Sequence, residues 1–186
     1  MKKLLLLASV LLLTSCTHEN QKIKFDIAID REKSDFGNVG SIGLIAFDER
    51  SHKDLIGTKT FGEERIEISS SENLAELLRD KLSDNLEQKG FVKGRDKIVE
   101  VHLESLQYKA VRKFFIGTSE ANSMVKIIVK NTKTGEKFTK NFTLSVKGKH
   151  FLAPLEITDR ETINTILRDT VLDILNDKSF LKSLTK

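Results

Sequence analysis

Cysteine, proline and tryptophan are almost missing from this 186-residue chain, which has one cysteine, one proline and no tryptophan. A single cysteine, Cys16, excludes an intramolecular disulfide. The lone proline, Pro154, and the lack of a Pro- or Ser-rich linker or an internal repeat favour one compact domain. The apolar run Leu4–Leu13 is interrupted only by Ser9, and it is shorter than the roughly 20 residues that a membrane-spanning helix requires.

A large excess of one charge is missing as well. The chain has 31 Lys and Arg residues against 27 Asp and Glu residues, a formal net charge of +4. Removal of Lys2 and Lys3 with a cleaved leader lowers this net charge to +2. A net charge this small gives little attraction to the phosphate backbone of a nucleic acid, and we expect no nucleic-acid partner.

The first 15 residues have the form of a bacterial signal peptide. A basic start, Met1–Lys3, precedes the short apolar run. Leu13, Thr14 and Ser15 then match the recognition site of a lipoprotein signal peptidase, because a leucine fills an apolar subsite and small residues let the backbone enter. The next residue is Cys16, whose thiolate is the strong nucleophile that can accept a diacylglyceryl group. We predict cleavage after Ser15 and lipid attachment at Cys16.

Two other interpretations of this cysteine are weaker. A buried, inert thiol is the usual state of a lone cysteine inside a domain, but nothing folded precedes Cys16. An ordinary secreted protein cleaved near Ala8 or Ser9 would leave Cys16 as a free thiol in the tail. Agreement between the leader, the small residues and the single cysteine favours the lipoprotein.

The lipid predicts both a partner and a location. Residues 16–22 form a short polar tether, so the domain of residues 23–186 lies close to a membrane held by the N-terminal lipid. Thr17 follows the cysteine, whereas an aspartate there commonly retains lipoproteins in the inner membrane of enteric-type bacteria. We therefore predict the periplasmic side of the outer membrane.

Strand-like alternation of apolar residues recurs along the domain. It predicts a first strand in Ile23–Ile29, a more buried strand in Ile42–Phe47, and a strand pair within Leu55–Ile68. A strand from Ile98 onward changes its apolar register near Ser105, which indicates a bulge. A β-hairpin follows, with its turn at Asn131–Gly135.

Two segments have helical spacing instead. Leu74–Leu86 places its leucines on one face, with cap oxygens from Ser69–Ser71, a capping box to Glu72, and Gly90 at the C-terminal end. A second helix begins with a capping box at Thr158–Glu161 and continues through apolar residues to Leu175. The combination predicts an α+β fold, a mostly antiparallel sheet with two amphipathic helices packed on one face.

The order of these elements resembles the YajG-type family of small Gram-negative lipoproteins. The likeness rests on the leucine-rich helix Leu74–Leu86, on Gly90-Phe91-Val92, and on the hairpin segment Lys140-Asn141-Phe142. It also rests on Asp169-Thr170 within the terminal helix. The resemblance implies a lipid anchor and this fold class, but it implies no catalytic residues, because the family has no established biochemical activity.

Residue patterns for catalysis or metal binding are not found. No histidine among His18, His52, His102 and His150 has a second ligand at metal-site spacing. No nucleophile elbow or Ser-x-x-Lys motif is found, and Cys16 is committed to lipid. We therefore predict no enzyme activity, no cofactor and no metal.

One segment is a candidate binding surface. Lys109, Arg112, Lys113, Phe114 and Phe115 place cations beside aromatics in a predicted loop, where they could meet lipid headgroups, lipopolysaccharide phosphates or an acidic partner. The alternative is a solvated strand face with the two phenylalanines in the core.

The favoured function is a non-enzymatic envelope lipoprotein that binds another envelope protein or glycan through its sheet face or this loop. An accessory lipoprotein of a transport or assembly machine is a second candidate, which an unpaired sheet edge or an exposed apolar patch would favour. A cell-wall-acting enzyme is a third, which a pocket joining His102 or His150 to carboxylates would favour.

Overall fold

The computed structural model describes residues 20–29, 39–113, 115–151 and 156–185. These residues form an α+β fold, as predicted, with three helices packed on a sheet. The strands are β1 (Gln21–Ile23), β2 (Gly40–Asp48), β3 (Leu55–Phe61), β4 (Glu64–Ser70), β5 (Phe91–Lys93), β6 (Lys97–Lys113), β7 (Ile116–Asn131) and β8 (Lys137–Phe151). The helices are α1 (Leu74–Gln88), α2 (Glu156–Asn176) and α3 (Lys178–Thr185).

The sheet is mixed, so the prediction of a mostly antiparallel sheet is wrong. One edge of β6 pairs with antiparallel β7, which in turn pairs with antiparallel β8. The other edge of β6 pairs with two parallel strands in succession, β2 along Lys97–Leu103 and β3 along Tyr108–Arg112. β5 flanks β2, whereas β4 and then β1 flank β3. Alternation along a strand reveals its buried face but not the direction of its neighbours, which is why the sequence did not predict the parallel pairs.

The predicted bulge near Ser105 is confirmed. Leu103 pairs with Val125 and Ser105 pairs with Met124, which leaves Glu104 as the extra residue in β6. Because a strand alternates between faces, one extra residue moves the buried positions by one. The buried side chains of β6 are accordingly Val99, Val101 and Leu103 before the bulge and Leu106, Tyr108 and Ala110 after it.

The helices cover one face of the sheet, as predicted. α1 packs on β2, β5 and β6, α2 packs on β7 and β8, and α3 contacts β2 and β8. Their buried stripes join the buried side chains of the strands in one apolar core, which extends from Ile23 to Leu184. The opposite face of the sheet, called the outer face below, carries no helix among the described residues.

Helix α1 lies where its leucine spacing predicted it. Leu74, Leu78, Leu82 and Leu86 are all fully buried. The predicted cap at Ser69–Ser71 is wrong, because the side chain of Asn73 accepts the hydrogen bonds from the backbone N–H groups of the first turn. Gly90 has a φ of 91° directly after the helix, the left-handed conformation that a glycine adopts at least cost.

The C-terminal region differs more from the prediction. Helix α2 already begins at Glu156, so Thr158 and Asp159 lie inside its first turn and do not cap it. The structure also has a third, eight-residue helix, α3, that the sequence analysis did not predict. Phe180 and Leu184 are its buried residues, and Leu181 packs against the core while partly buried.

Two predicted strands are also corrected. Of the predicted first strand, Ile23–Ile29, only Ile23 lies in β1, which pairs with β4. Residues 24–29 have no regular structure, although Phe25 and Ile27 are buried. In β2 the residue Ile42 is buried, but Ile45 and Phe47 are 44% and 41% exposed on the outer face. The strand pair within Leu55–Ile68 is confirmed as β3 and β4, and the hairpin around Asn131–Gly135 is confirmed as β7 and β8.

Asp177 joins the sheet to the start of α3, and its removal should destabilise the fold. One carboxylate oxygen accepts from the Phe180 backbone N–H at 2.8 Å, and the other accepts from Lys140 Nζ at 2.5 Å. Burial opposes ionisation, but the hydrogen bonds from Lys140, Ser179 and Phe180 outweigh it and lower the pKa of Asp177 to about 2. We expect Asp177→Ala to lower the free energy of unfolding at neutral pH by about 1–2 kcal/mol, as for other lost helix caps.

The pH dependence of this loss follows from the direction of the pKa change. A carboxyl whose pKa is lowered in the folded state stabilises the fold above its unfolded pKa, about 3.9, and loses that contribution as the pH falls. The difference between wild type and Asp177→Ala in urea unfolding should therefore shrink between about pH 4 and the folded pKa of about 2. Asp173→Ala, which removes an exposed carboxyl of α2, is the control; an equal loss in that variant would contradict the role of Asp177.

Candidate binding surface

The predicted basic and aromatic loop is mostly strand. Lys109 and Arg112 lie in β6, and Phe115 lies in the turn between β6 and β7. Lys109 is exposed on the outer face, whereas Arg112 pairs with Gly117 and is half-buried. Phe115 is 67% exposed, so its predicted alternative position in the core is wrong. Phe114 and the side chain of Lys113 lie outside the described part of the chain.

A groove of about 960 Å³ lies beside this segment on the outer face. It crosses the C-terminal parts of β6 and β8 and the N-terminal part of β7. Lysines from two strands line it, Lys109 on β6 and Lys147 and Lys149 on β8, and the acidic residue in its lining is Glu120. The side chain of Glu120 lies 3.4 Å from Lys147 Nζ, and Lys109 and Lys149 have no ion pair within the described residues. The groove therefore has an excess of positive charge.

Apolar side chains are exposed at the same end of the sheet. We call Phe115, Ile116, Phe151 and Ile157 the strand-end patch; Phe151 is 83% exposed, and the others are more than half exposed. Ile116 pairs with Lys113, and the next residue, Gly117, pairs with His150, so Ile116 and Phe151 end neighbouring strands. Ile157 lies in the first turn of α2, two residues before Asp159, which contacts Tyr108 five residues from the end of β6. Large exposed apolar patches commonly mark contact sites with proteins or membranes.

The middle of the outer face is covered by paired charges. His102 Nδ1 lies 2.6 Å from Glu49 Oε1, and Lys126 donates to Glu104 at 2.5 Å. Lys130 donates to Glu100 at 2.5 Å, and the His102 ring stacks on Phe47 with 4.7 Å between centroids. The hydrogen bond with His102 lowers the pKa of Glu49. These contacts neutralise most of the charge on this part of the face.

His102 lies between two carboxylates on the outer face. Glu49 and Glu100 flank its ring, and the side chains of His102 and Glu100 are mostly buried. No cluster of three or more potential metal ligands occurs in the described part of the chain. His150 contacts Ser119 Oγ at 2.8 Å through Nε2. Neither histidine lines the groove of about 960 Å³.

A buried polar network connects α2 with the sheet, and the sequence analysis missed it. The Asp159 carboxylate is fully buried; one oxygen pairs with Lys59 Nζ and the other accepts from the Tyr108 hydroxyl at 2.5 Å. Burial raises the pKa of Asp159, and the hydrogen bonds from Lys59 and Tyr108 offset this only in part. Burial and the neighbouring carboxylate raise the pKa of Tyr108 above its usual value. Because Lys59, Tyr108 and Asp159 are at most 3% exposed, the network has a structural role.

The residues that carried the family resemblance have structural contacts as well. Lys140 binds Asp177 at the start of α3, and Phe142 is buried in the core. Thr170 Oγ1 lies 2.7 Å from Ser123 Oγ and connects α2 to β7. These residues hold helices on the sheet and do not converge on the groove.

The predicted lipid-attachment segment lies outside the described residues. This applies to Leu13, Thr14 and Ser15 of the recognition site and to Cys16, which therefore remain predictions. Among the helices that the structure describes, none has the length and apolar character needed to cross a membrane.

Comparison with solved structures gives a similar fold in distant chains. A crystal structure of an uncharacterised protein matches with 10% identity and a TM-score of 0.51, over 83% of this chain and 96% of the other. A candidate lipoprotein from Caulobacter crescentus CB15 matches with 14% identity and a TM-score of 0.41, over 70% and 87%. The rare lipoprotein B from Shewanella oneidensis matches with 14% identity and a TM-score of 0.38, over 68% and 95%. Only the first likeness is close enough to support the fold.

The sequence also matches a family model. No curated protein matches the sequence. A family model described as "Uncharacterized lipoprotein" matches residues 26–185. The match confirms the resemblance to YajG-type lipoproteins and extends it across residues 36–68, which the quoted motifs did not include. The chain therefore belongs to this family of uncharacterised lipoproteins.

Proposed function

We propose that this protein is a non-enzymatic lipoprotein, anchored through lipid on Cys16 to the periplasmic side of the outer membrane, that binds another envelope component. Membership of a lipoprotein family supports the anchor. The sequence Leu13-Thr14-Ser15-Cys16 supplies its attachment site, and Thr17 in place of aspartate supports outer-membrane sorting. The domain then acts by binding and not by catalysis.

The observation that carries the binding proposal is the lysine-lined groove on the outer face. Lys109, Lys147 and Lys149 converge there from two strands, and Glu120 is the acidic residue that faces them. Lysine side chains on such a surface attract phosphate or carboxylate groups. The chemistry fits an acidic envelope component, such as a phosphorylated glycolipid or an anionic glycan.

Charge reversal in the groove should weaken this binding. The probes are purified lipopolysaccharide and isolated peptidoglycan, two envelope materials that carry phosphate or carboxylate groups. In co-sedimentation with the lipidated protein, we expect Lys109→Glu/Lys147→Glu/Lys149→Glu to weaken binding by at least about tenfold, equal to about 1.4 kcal/mol.

The matched control is Lys24→Glu/Lys178→Glu/Lys182→Glu. It makes the same change in net charge at three exposed lysines away from the groove, and it should bind like the wild type. Equal binding by the two triple variants would contradict the role of the groove, and so would an absence of binding by the wild-type protein.

A second candidate function is an accessory role in an envelope transport or assembly machine. The observation that favours it is the outer edge of β8, a 15-residue strand that pairs with β7 on one side and with no strand on the other among the described residues. An unpaired edge can accept an extended segment of a partner by continuing the sheet. Lys137, Lys147 and Lys149 along it would favour a partner segment with acidic side chains.

A further inference from the structure

The chain enters β1 from the same end of the sheet that carries the strand-end patch. β6 ends at the turn into β7, and β3 runs parallel to it, so that Phe61 pairs with Arg112 at this end. β4 runs back from this end, because Glu64 pairs with Phe61. β1 is parallel to β4, with Gln21 paired to Ile68. The chain therefore enters β1 from the side of the strand-end patch.

The tether is short enough to bring its lipid to this end. Asn20 accepts a hydrogen bond from the Glu67 backbone N–H at 3.1 Å. Glu67 lies three residues along β4 from Glu64, which is at the end of the sheet. Three residues of strand correspond to about 10 Å. The four residues from Cys16 to Asn20 reach at most about 14 Å. A lipid on Cys16 can thus lie level with Phe115 and Ile116.

The lateral distance allows both contacts with one membrane. β1 is separated from β6 by β4 and β3, and β7 lies one strand further. At about 4.8 Å between neighbouring strands, this corresponds to about 14–19 Å in the plane of the sheet. The lipid and the patch therefore fit side by side on the same bilayer surface.

The chemistry of this end also matches a bilayer. Two phenylalanines and two isoleucines form an exposed apolar group, and Lys109, Lys147 and Lys149 lie behind it along the groove. Apolar side chains enter the boundary between headgroups and acyl chains, whereas lysines remain at the level of the phosphates and are attracted to anionic lipids. An apolar end with basic residues behind it is the arrangement that such a surface requires.

We propose that the strand-end patch inserts into the surface of the membrane that holds the lipid, so that the domain stands on the bilayer with its strands directed away from it. This orientation rests on the proposed lipid anchor, but it does not depend on the ligand of the groove. It defines a second, protein-mediated contact with the membrane. The helices and the charged middle of the outer face then remain open to the periplasm.

The lack of tryptophan in the chain permits a direct test. A Phe115→Trp variant carries one indole in the patch, and a Phe47→Trp control carries one on the outer face. Phe47 pairs with His102, ten residues before Arg112 on β6, which places the control roughly 30 Å from the patch. Each lipidated protein is placed in phosphatidylethanolamine and phosphatidylglycerol vesicles, with or without bromine on the acyl chains. Intact mass, compared with Cys16→Ser, verifies the lipid.

We expect the Phe115→Trp emission to shift to shorter wavelength in vesicles and to lose intensity with brominated lipid, because interfacial side chains lie about 5–10 Å into the boundary region. The Phe47→Trp emission should not respond to bromine. Lack of quenching at position 115 in the lipidated protein would overturn the inference, as would equal quenching at both positions. If this test fails while the groove variants still lose binding, the orientation is wrong and the proposed function stands.

Discussion

Gly57→Ala should unfold the N-terminal part of the sheet. A Cβ at this position would lie 1.8 Å from the Tyr108 carbonyl oxygen and 2.8 Å from the Tyr108 backbone nitrogen. Both atoms belong to the backbone of the central strand, so no side-chain rotation can relieve the overlap. Overpacking in a core typically costs 1–3 kcal/mol, and we expect a loss of about 3 kcal/mol or more here, because β3 must separate from β6. Urea unfolding of the mature protein measures the loss.

A second glycine provides the control for this prediction. Gly62 has a φ of 58°, and nothing lies within 4 Å of the Cβ that alanine would add. Gly62→Ala therefore costs only the strain of a left-handed conformation, about 1 kcal/mol. If Gly57→Ala were no more destabilising than Gly62→Ala, the close approach of β3 to β6 would be contradicted.

Asp159→Ala should have an effect of similar size for a different reason. The substitution leaves the Lys59 ammonium buried without its carboxylate and removes the acceptor of the Tyr108 hydroxyl. Removing one partner of a buried ion pair usually costs about 3–5 kcal/mol, because the remaining charge stays desolvated. We expect a loss in this range in urea unfolding. Asp169→Ala is the control, since it breaks a half-exposed pair with the neighbouring Arg168 and should cost about 0.5 kcal/mol or less.

The double variant Lys59→Met/Asp159→Leu separates the two sources of this loss. It replaces the buried pair by apolar side chains, and such replacements are often neutral or stabilising. We expect it to recover most of the stability lost in Asp159→Ala. If the double variant is as unstable as the single one, loss of the carboxylate beside Lys59 is not the cause of the instability.

Helices α1 and α2 and the buried faces could be predicted from local patterns. The leucine spacing of α1 depends on neighbours three or four residues away, and the alternation in β6 depends on neighbours two residues away. The register change marked the bulge at Glu104. The same alternation predicted which side chains of residues 23–29 are buried. It did not predict that residues 24–29 form no strand, because burial and strand pairing are separate properties. Pairing requires a partner that may lie anywhere in the chain; β2 pairs with β6, more than 50 residues later.

The buried network of Lys59, Tyr108 and Asp159 also depends on partners that are distant in the sequence. A threonine followed three residues later by a glutamate at the start of a helical segment is typical of a capping box, and Asp159 lies inside the predicted box Thr158–Glu161. Its partner Lys59 is 100 residues away in the sequence, so no local pattern could identify the pair. The candidate surface was partly predictable, since its cations and aromatics are adjacent at Lys109–Phe115. The contribution of Lys147, Lys149 and Phe151 depends on the pairing of β7 with β8.

The lysines of β8 affect how neighbouring copies of this protein meet on a crowded membrane. Lipid anchors confine proteins to two dimensions, where copies of one chain meet far more often than they do in solution. Two such copies could join their free β8 edges in antiparallel fashion, but a register centred on Thr143 would place Lys137 of one copy opposite Lys149 of the other. Like charges directly opposite each other destabilise a strand pair. The edge can thus remain available to an acidic partner while identical neighbours repel one another.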